Sequence, residues 1–261
     1  MRAGVKLGLA ALVAVAAFVA LTLFKENPIL LEDVEANSHG GALVGVTMTI
    51  RNAGPPDRLL SVDSAGTKMA LLKGENVNPL PIPAQSTVSL AADGAHVMLG
   101  GVPGALEEGR LIPLVLTFEK AGAVTAKARF VVPMKGGDQG GMMDHSMMMG
   151  REYPVPAGEP APTLSLTAAP RDGGGFDVQI ETTAFAFSRE QADGPHVPGL
   201  GHGHLYVGGV KIGRVYGATA TIPPLPAGEH IVRVTLNTND HRVYVVEGEL
   251  VTASVTVTAD E

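Results

Sequence analysis

The chain contains no cysteine. That excludes a disulfide framework, a thiolate nucleophile, a blue-copper centre and a lipid-modified N-terminal Cys, but it does not place the protein in the cytosol, since exported proteins also fold without disulfides. Basic runs are missing too: the formal charge of -7 has no Lys/Arg block set against it, so no nucleic-acid partner is expected. Helical periodicity is scarce beyond the N-terminus. No Ser/His/Asp order, paired catalytic carboxylates or phosphate loop stands out, and a non-enzymatic role is expected.

What is present points to an all-β protein. The 261 residues suffice for two domains, and Gly 33 with Pro 19 among many Val and Thr predicts short strands joined by tight turns, as in sandwiches or barrels. In Leu43 to Arg51, Val44, Val46, Met48 and Ile50 share one face, and Asn52 to Asp57 is a turn cluster. Further strands are expected at 58–63, 68–72, 87–91, 96–99, 113–119 and 125–132. After a Pro-rich spacer they resume at 163–168, 176–183, 205–207, 210–216, 230–237, 244–247 and 251–257. The expected organisation is therefore a leader over 1–28, a β domain over 29–133, a linker over 134–162 and a second β domain over 163–261.

Only one long apolar run exists. Arg2 and Lys6 precede the uncharged segment Leu7 to Phe24, which Lys25 and Glu26 close, the order of an export signal with its positive end kept inside. Such a run can just span a bilayer as a helix. Ala14-Val15-Ala16 would leave too short an apolar core for cleavage, so an N-terminal transmembrane anchor is favoured over a removed signal peptide. Either way the remainder is expected in the periplasm, anchored to the inner membrane or, after cleavage, secreted.

The stretch Gly136 to Gly150, GGDQGGMMDHSMMMG, has no ordinary structural demand behind it. Met142, Met143, His145, Met147, Met148 and Met149 are soft-to-borderline donors without thiolate, a set that favours copper over zinc, calcium or magnesium. The other reading is a flexible linker.

Three blocks, TIRNAGPPDRLLSVDS, PIPAQSTVSLAADGAHVMLGGV and LEEGRLIPLVLTFEKAG, resemble in order the periplasmic copper chaperone family PCu(A)C, over about Leu31 to Pro133. The resemblance implies a cupredoxin-like antiparallel β-barrel that holds Cu(I) and delivers it to a terminal oxidase copper site or its assembly factor. His96-Val97-Met98 matches the family's His-x-Met pair, and in a strand both side chains point to one face. The family's upstream His and Met have no full counterpart: Ala65 to Asn78 holds no histidine and only Met69, either a third ligand or a core methionine. His39 is a loop residue that could lie nearby. The Met-rich stretch stands where family members carry a His/Met-rich tail, and about fifteen flexible residues reach roughly 20 Å, enough to fold back on His96 and Met98.

The C-terminal half alternates as a two-sided strand in FDVQIE and HIVRVTL, the pattern of an immunoglobulin-like or fibronectin-like sandwich. His202-Gly203-His204 is expected at a strand start with both imidazoles on one face, and His241 follows Asp240 in a loop. If the loops meet, three imidazoles and a carboxylate can take Cu(II) or Zn(II). His230, at a strand entry, reads as structural. The whole describes an extracytoplasmic copper chaperone. Its alternative is an exported structural or adhesive two-domain β protein without a metal role.

Overall fold

The structure, a computed structural model, describes residues 27–40, 42–75, 79–132 and 152–260. The segment Leu7 to Phe24 and the residues Met142, Met143, His145, Met147, Met148 and Met149 lie outside them. Among the described residues no helix is long and apolar enough to cross a membrane. All regular structure there is β.

The N-terminal part runs β1 (Ile29–Ser38), β2 (Leu43–Asn52), β3 (Asp57–Asp63), β4 (Met69–Lys73), β5 (Leu80–Ile82), β6 (Ser86–Leu90), β7 (His96–Gly100), β8 (Leu111–Phe118) and β9 (Gly122–Phe130). β2 is the central strand, antiparallel to β1 on one side and to β6 and then β7 on the other, with β4 beyond β7. β3, β5 and β8 form the facing layer; β9 joins both layers, antiparallel to β8 and parallel to β1. The alternation seen in the sequence places Val44, Val46, Met48 and Ile50 in the core, with Val97 and Leu99 of β7 and Leu114, Leu116 and Phe118 of β8. Period-2 patterning then forces Gly45, His96 and Met98 onto the opposite face.

The C-terminal part runs β10 (Glu152–Pro154), β11 (Thr163–Pro170), β12 (Phe176–Thr183), β13 (Ala186–Phe187), β14 (Leu200–Val207), β15 (Val210–Val215), β16 (Thr219–Ile222), β17 (Gly228–Thr238), β18 (Val243–Val246), β19 (Glu249–Leu250) and β20 (Thr252–Ala259). β11, β12 and β16 make one antiparallel sheet. It faces a second sheet in which β14 lies between β15 and β17, with β20 beyond. Phe176, Val178, Ile180 and Ile222 pack against Leu205, Val207, Val232, Val234 and Val257 between them.

The two parts touch through a hairpin. Gly208 (φ 53) and Gly209 (φ 82) form the two-residue turn between β14 and β15, where positive φ at both positions suits glycine. A side chain would not fit: a Cβ on Gly208 would meet Pro81 at 2.8 Å and one on Gly209 the Glu75 carbonyl at 2.4 Å. Beyond the turn, Val210 joins the N-terminal core, Lys211 bridges to Ser89 of β6, and the Ala95 amide donates to the Gly209 carbonyl at 2.7 Å.

Candidate metal centres

The first candidate sits on the outer face of β7. His96, Met98 and Gly100 alternate with the core residues Val97 and Leu99. Register across the sheet sets their neighbours: Gly45 of β2 and Leu71 of β4 lie directly opposite Met98, and Asn37 of β1 lies opposite Gly45. The chain leaves β1 at His39, whose amide bonds the Leu43 carbonyl at 3.0 Å. This brings the His39 and His96 rings to 6.1 Å between centroids. Beside His39, a Cβ on Gly45 would stand 3.5 Å from Asn37 Oδ1 and 3.7 Å from His39 Nδ1, at ordinary contact distance.

The tautomer of His96 follows from one contact. Its Nδ1 lies 3.0 Å from the Gly94 carbonyl, which can only accept, so Nδ1 carries the proton and Nε2 carries the lone pair. Nε2 is buried with no hydrogen-bond partner among the described residues, and Met98 beside it is only 2% exposed. A buried bare imidazole nitrogen next to a thioether is a donor pair suited to a soft cation. Met69 is not a core methionine. It lies exposed on β4 opposite Gly100, diagonal to Met98 and on the same face.

The second candidate lies on β14. Gly201, Gly203, Leu205 and Val207 face inward; Gly201 admits no side chain, since a Cβ there would stand 1.9 Å from the Asn237 carbonyl, and one at Gly203 would press on Val234 and Val215 at 3.2 and 3.3 Å. His202, His204 and Tyr206 consequently project together from the other face. Sequence expectation put His202 and His204 at a strand start. β14 in fact begins at Leu200, so both are interior to a strand paired on two sides and buried. His241, from the turn between β17 and β18, completes the group: one ring nitrogen from each of the three lies within 4.8 Å of the others.

His202 Nε2 and His204 Nε2 are 3.0 Å apart. His204 Nδ1 donates to Asp93 Oδ2 at 2.9 Å, and the same oxygen accepts from Tyr206 at 2.9 Å and Lys211 at 2.7 Å. His241 Nε2 contacts Asp193 Oδ1 at 2.5 Å, and Arg214 pairs with the other Asp193 oxygen at 2.9 Å. Asp240, the carboxylate expected beside His241, turns away instead to Thr238 and Arg242.

Burial dominates the electrostatics. Desolvation, reinforced by the neighbouring imidazoles, drops His202 to about 2; it also drops His204, to about 4, against the opposing pull of Asp93. His241 is lowered for the same reason, against Asp193. All three imidazoles are therefore neutral near pH 7, the form that can ligate. Burial by itself would raise Asp93, but the His204 hydrogen bond and the Lys211 ammonium outweigh it and hold the carboxyl below the usual range. The other two C-terminal histidines stand apart from the triad. His230 Nε2 bonds the Pro226 carbonyl at 2.6 Å, and His196 packs on Tyr153 with ring centroids 4.2 Å apart.

Residues 29–130 match the family described as putative lipoprotein LpqE-like. The N-terminal part is similar to that family. Solved structures similar to it are PCuAC domains: the copper-bound domain from PmoF2 is 28% identical, with 41% of this chain and 94% of that chain covered and a TM-score of 0.37. The apo domain from PmoF1 is 29% identical, with 41% and 95% covered and the same TM-score of 0.37. No curated protein matches the chain.

On the LpqE-like part, sequence reasoning singled out His96 and Met98 and the structure puts them on one face. It gave little weight to His39, which β1–β2–β7 register brings to the same place. Asp93 was missed entirely. Its only local signal is an Asp-Gly turn three residues before His96, while its partner His204 lies 111 residues away in the chain.

Proposed function

We propose that the protein is an extracytoplasmic copper chaperone that holds Cu(I) on the LpqE-like barrel and passes it to a copper-accepting protein, such as a terminal oxidase or its assembly factor. The observation that carries this reading is the buried, unpartnered His96 Nε2 beside Met98. His39 supplies a second imidazole, Met69 a second thioether, and Gly45 the space for an ion among them. Resemblance of the blocks around His96-Val97-Met98 to PCu(A)C proteins selects copper among soft ions.

The chemistry is ligand exchange rather than catalysis. Neutral thioethers and imidazoles bind Cu(I) without a fixed anionic charge, so an incoming thioether, imidazole or thiolate of the acceptor displaces them one at a time. Met142, Met143, His145, Met147, Met148 and Met149 are auxiliary donors for capture or hand-over. The apolar segment 7–24 holds the barrel, followed by an immunoglobulin-like sandwich, at the periplasmic face of the membrane. With no cysteine in the chain, that segment takes the place of a lipid on cysteine.

Competitive Cu(I) titration of the full chain under reducing conditions tests this. The unaltered protein should bind tightly, and the double variant His96→Ala, Met98→Leu should lose at least about a hundredfold in affinity for one equivalent, the scale on which removing two of four donors acts. Deleting 134–149 should lower capacity but leave that equivalent. Undiminished affinity in the double variant refutes the barrel site, and no Cu(I) binding at all leaves a structural or adhesive role.

A further inference from the structure

We propose that His202, His204 and His241 form a separate site for a borderline divalent ion, Cu(II) or Zn(II), and that Asp93 of the LpqE-like barrel braces it from across the contact between the two parts. This goes beyond the Cu(I) reading and stands or falls without it.

Geometry is the first argument. Three imidazole nitrogens within 4.8 Å of one another lie close to the arrangement an ion imposes, because metal–nitrogen bonds of about 2.0–2.1 Å in a tetrahedral site put the donors roughly 3.3 Å apart. The His202 and His204 nitrogens, at 3.0 Å, are already there. In the metal-free protein that contact is a hydrogen bond. Asp93 fixes the proton of His204 on Nδ1, so His204 Nε2 accepts and His202 Nε2 donates. An ion takes the position of that shared proton once His202 changes tautomer.

The surroundings are those of ligating histidines. Imidazoles that bind metals donate their second N–H to a carboxylate or carbonyl, which fixes the ring and raises its basicity. Two of the three do so here, His204 to Asp93 and His241 to Asp193. The charges around the cluster pair off: Lys211 neutralises Asp93 and Arg214 neutralises Asp193. Three neutral nitrogens with no net charge beside them suit a transition-metal ion better than calcium or magnesium, which require oxygen ligands.

A cluster serving stability alone explains less. His202 Nδ1 and Asp93 Oδ1 are buried without hydrogen-bond partners among the described residues, a cost that an apolar core would avoid. His241 (φ 66) and Asp193 (φ 68), which face each other, both hold left-handed backbone, a conformation that residues other than glycine adopt at a cost. Asp193 is 45% exposed at its side chain and so connects the buried triad to solvent. Asp93 belongs to the same β6–β7 turn as Gly94, the carbonyl partner of His96, so an ion in the triad also stiffens the loop beside the barrel site.

The test uses the full chain stripped of metal. Zn(II) followed through the histidine ring nitrogens by NMR should shift those of His202, His204 and His241 as a group with one equivalent, and Cu(II) should give an electron paramagnetic resonance spectrum with coupling to three nitrogens. Cu(II) should displace Zn(II), as the Irving–Williams order requires. His241→Gln should abolish that equivalent, and Asp93→Asn should weaken it about 10- to 100-fold without changing stoichiometry, while Met98→Leu leaves both unaffected. Ring signals of the three histidines that ignore Zn(II) in the unaltered protein overturn the proposal, even if a variant fails to fold. Equal affinity in His241→Gln overturns it as well.

Discussion

The two candidate centres lie on opposite sides of one short loop and are built on different plans. On the barrel, His96 and Met98 share the outer face of β7, and among the described residues their only polar anchor is the Gly94 carbonyl and no carboxylate stiffens them. In the C-terminal part, three buried imidazoles are locked by Asp93, Lys211, Tyr206 and Asp193. The difference teaches that donor softness and donor rigidity vary together here. A site of neutral soft donors with few second contacts can exchange ligands, and one of braced hard-to-borderline donors retains its ion. The first plan suits a carrier and the second a fixture.

The largest effect should come from exchanging the variants between the two sites. Met98→Leu preserves volume on β7 but removes the thioether, so Cu(I) affinity should fall about tenfold or more while the divalent equivalent is unchanged. His204→Gln should do the reverse. Metal binding measured separately for Cu(I) and Zn(II) checks both, and a variant that lowers the two affinities together would show that they are one site.

Acid sharpens the contrast next. His202 at about 2 and His204 at about 4 lie below the 6.5 of an unfolded chain, so as pH falls the unfolded protein takes up protons first. Stability of the metal-free protein should be intact above about pH 7. From about 6.5 towards 4 it should decline by roughly 1.4 kcal/mol per pH unit for each such histidine. The melting temperature followed over that range in the unaltered chain and in His202→Asn measures the slope, which the variant should make shallower by about one proton.

How much of this was legible beforehand depends on sequence distance. Val44, Val46, Met48 and Ile50 announce β2 by alternation alone, and His96 with Met98, or His202 with His204, announce a shared face by their spacing of two. Long-range register is invisible to such rules. β1, including the approach of His39 to His96, follows from pairing with β2 and carries no period of its own, its burial being irregular around the bulge between Glu32 and Glu35. Asp240 drew attention through adjacency to His241, yet neighbours in a tight turn point apart, and the carboxylates that reach the triad come from Asp193 and, across the two parts, Asp93. Gly201 carries no such signal in the sequence; in the structure it is where β14 lies too close to the Asn237 carbonyl of β17 for a side chain.

The smallest effect isolates Gly45, which lies beside His39 and opposite Met98. Gly45 has no positive φ to protect, and a Cβ there would meet Asn37 and His39 at 3.5 and 3.7 Å, ordinary contact distances. Gly45→Ala should therefore leave the metal-free fold as stable as before or better by up to about 1 kcal/mol, since glycine within a strand carries an entropic cost. The methyl group nevertheless occupies space directly opposite Met98, so Cu(I) affinity should fall a few-fold. A purely structural glycine would move stability and affinity in the same direction. Opposite signs, read from thermal melts and Cu(I) competition on one variant, assign the position opposite Met98 to the ion.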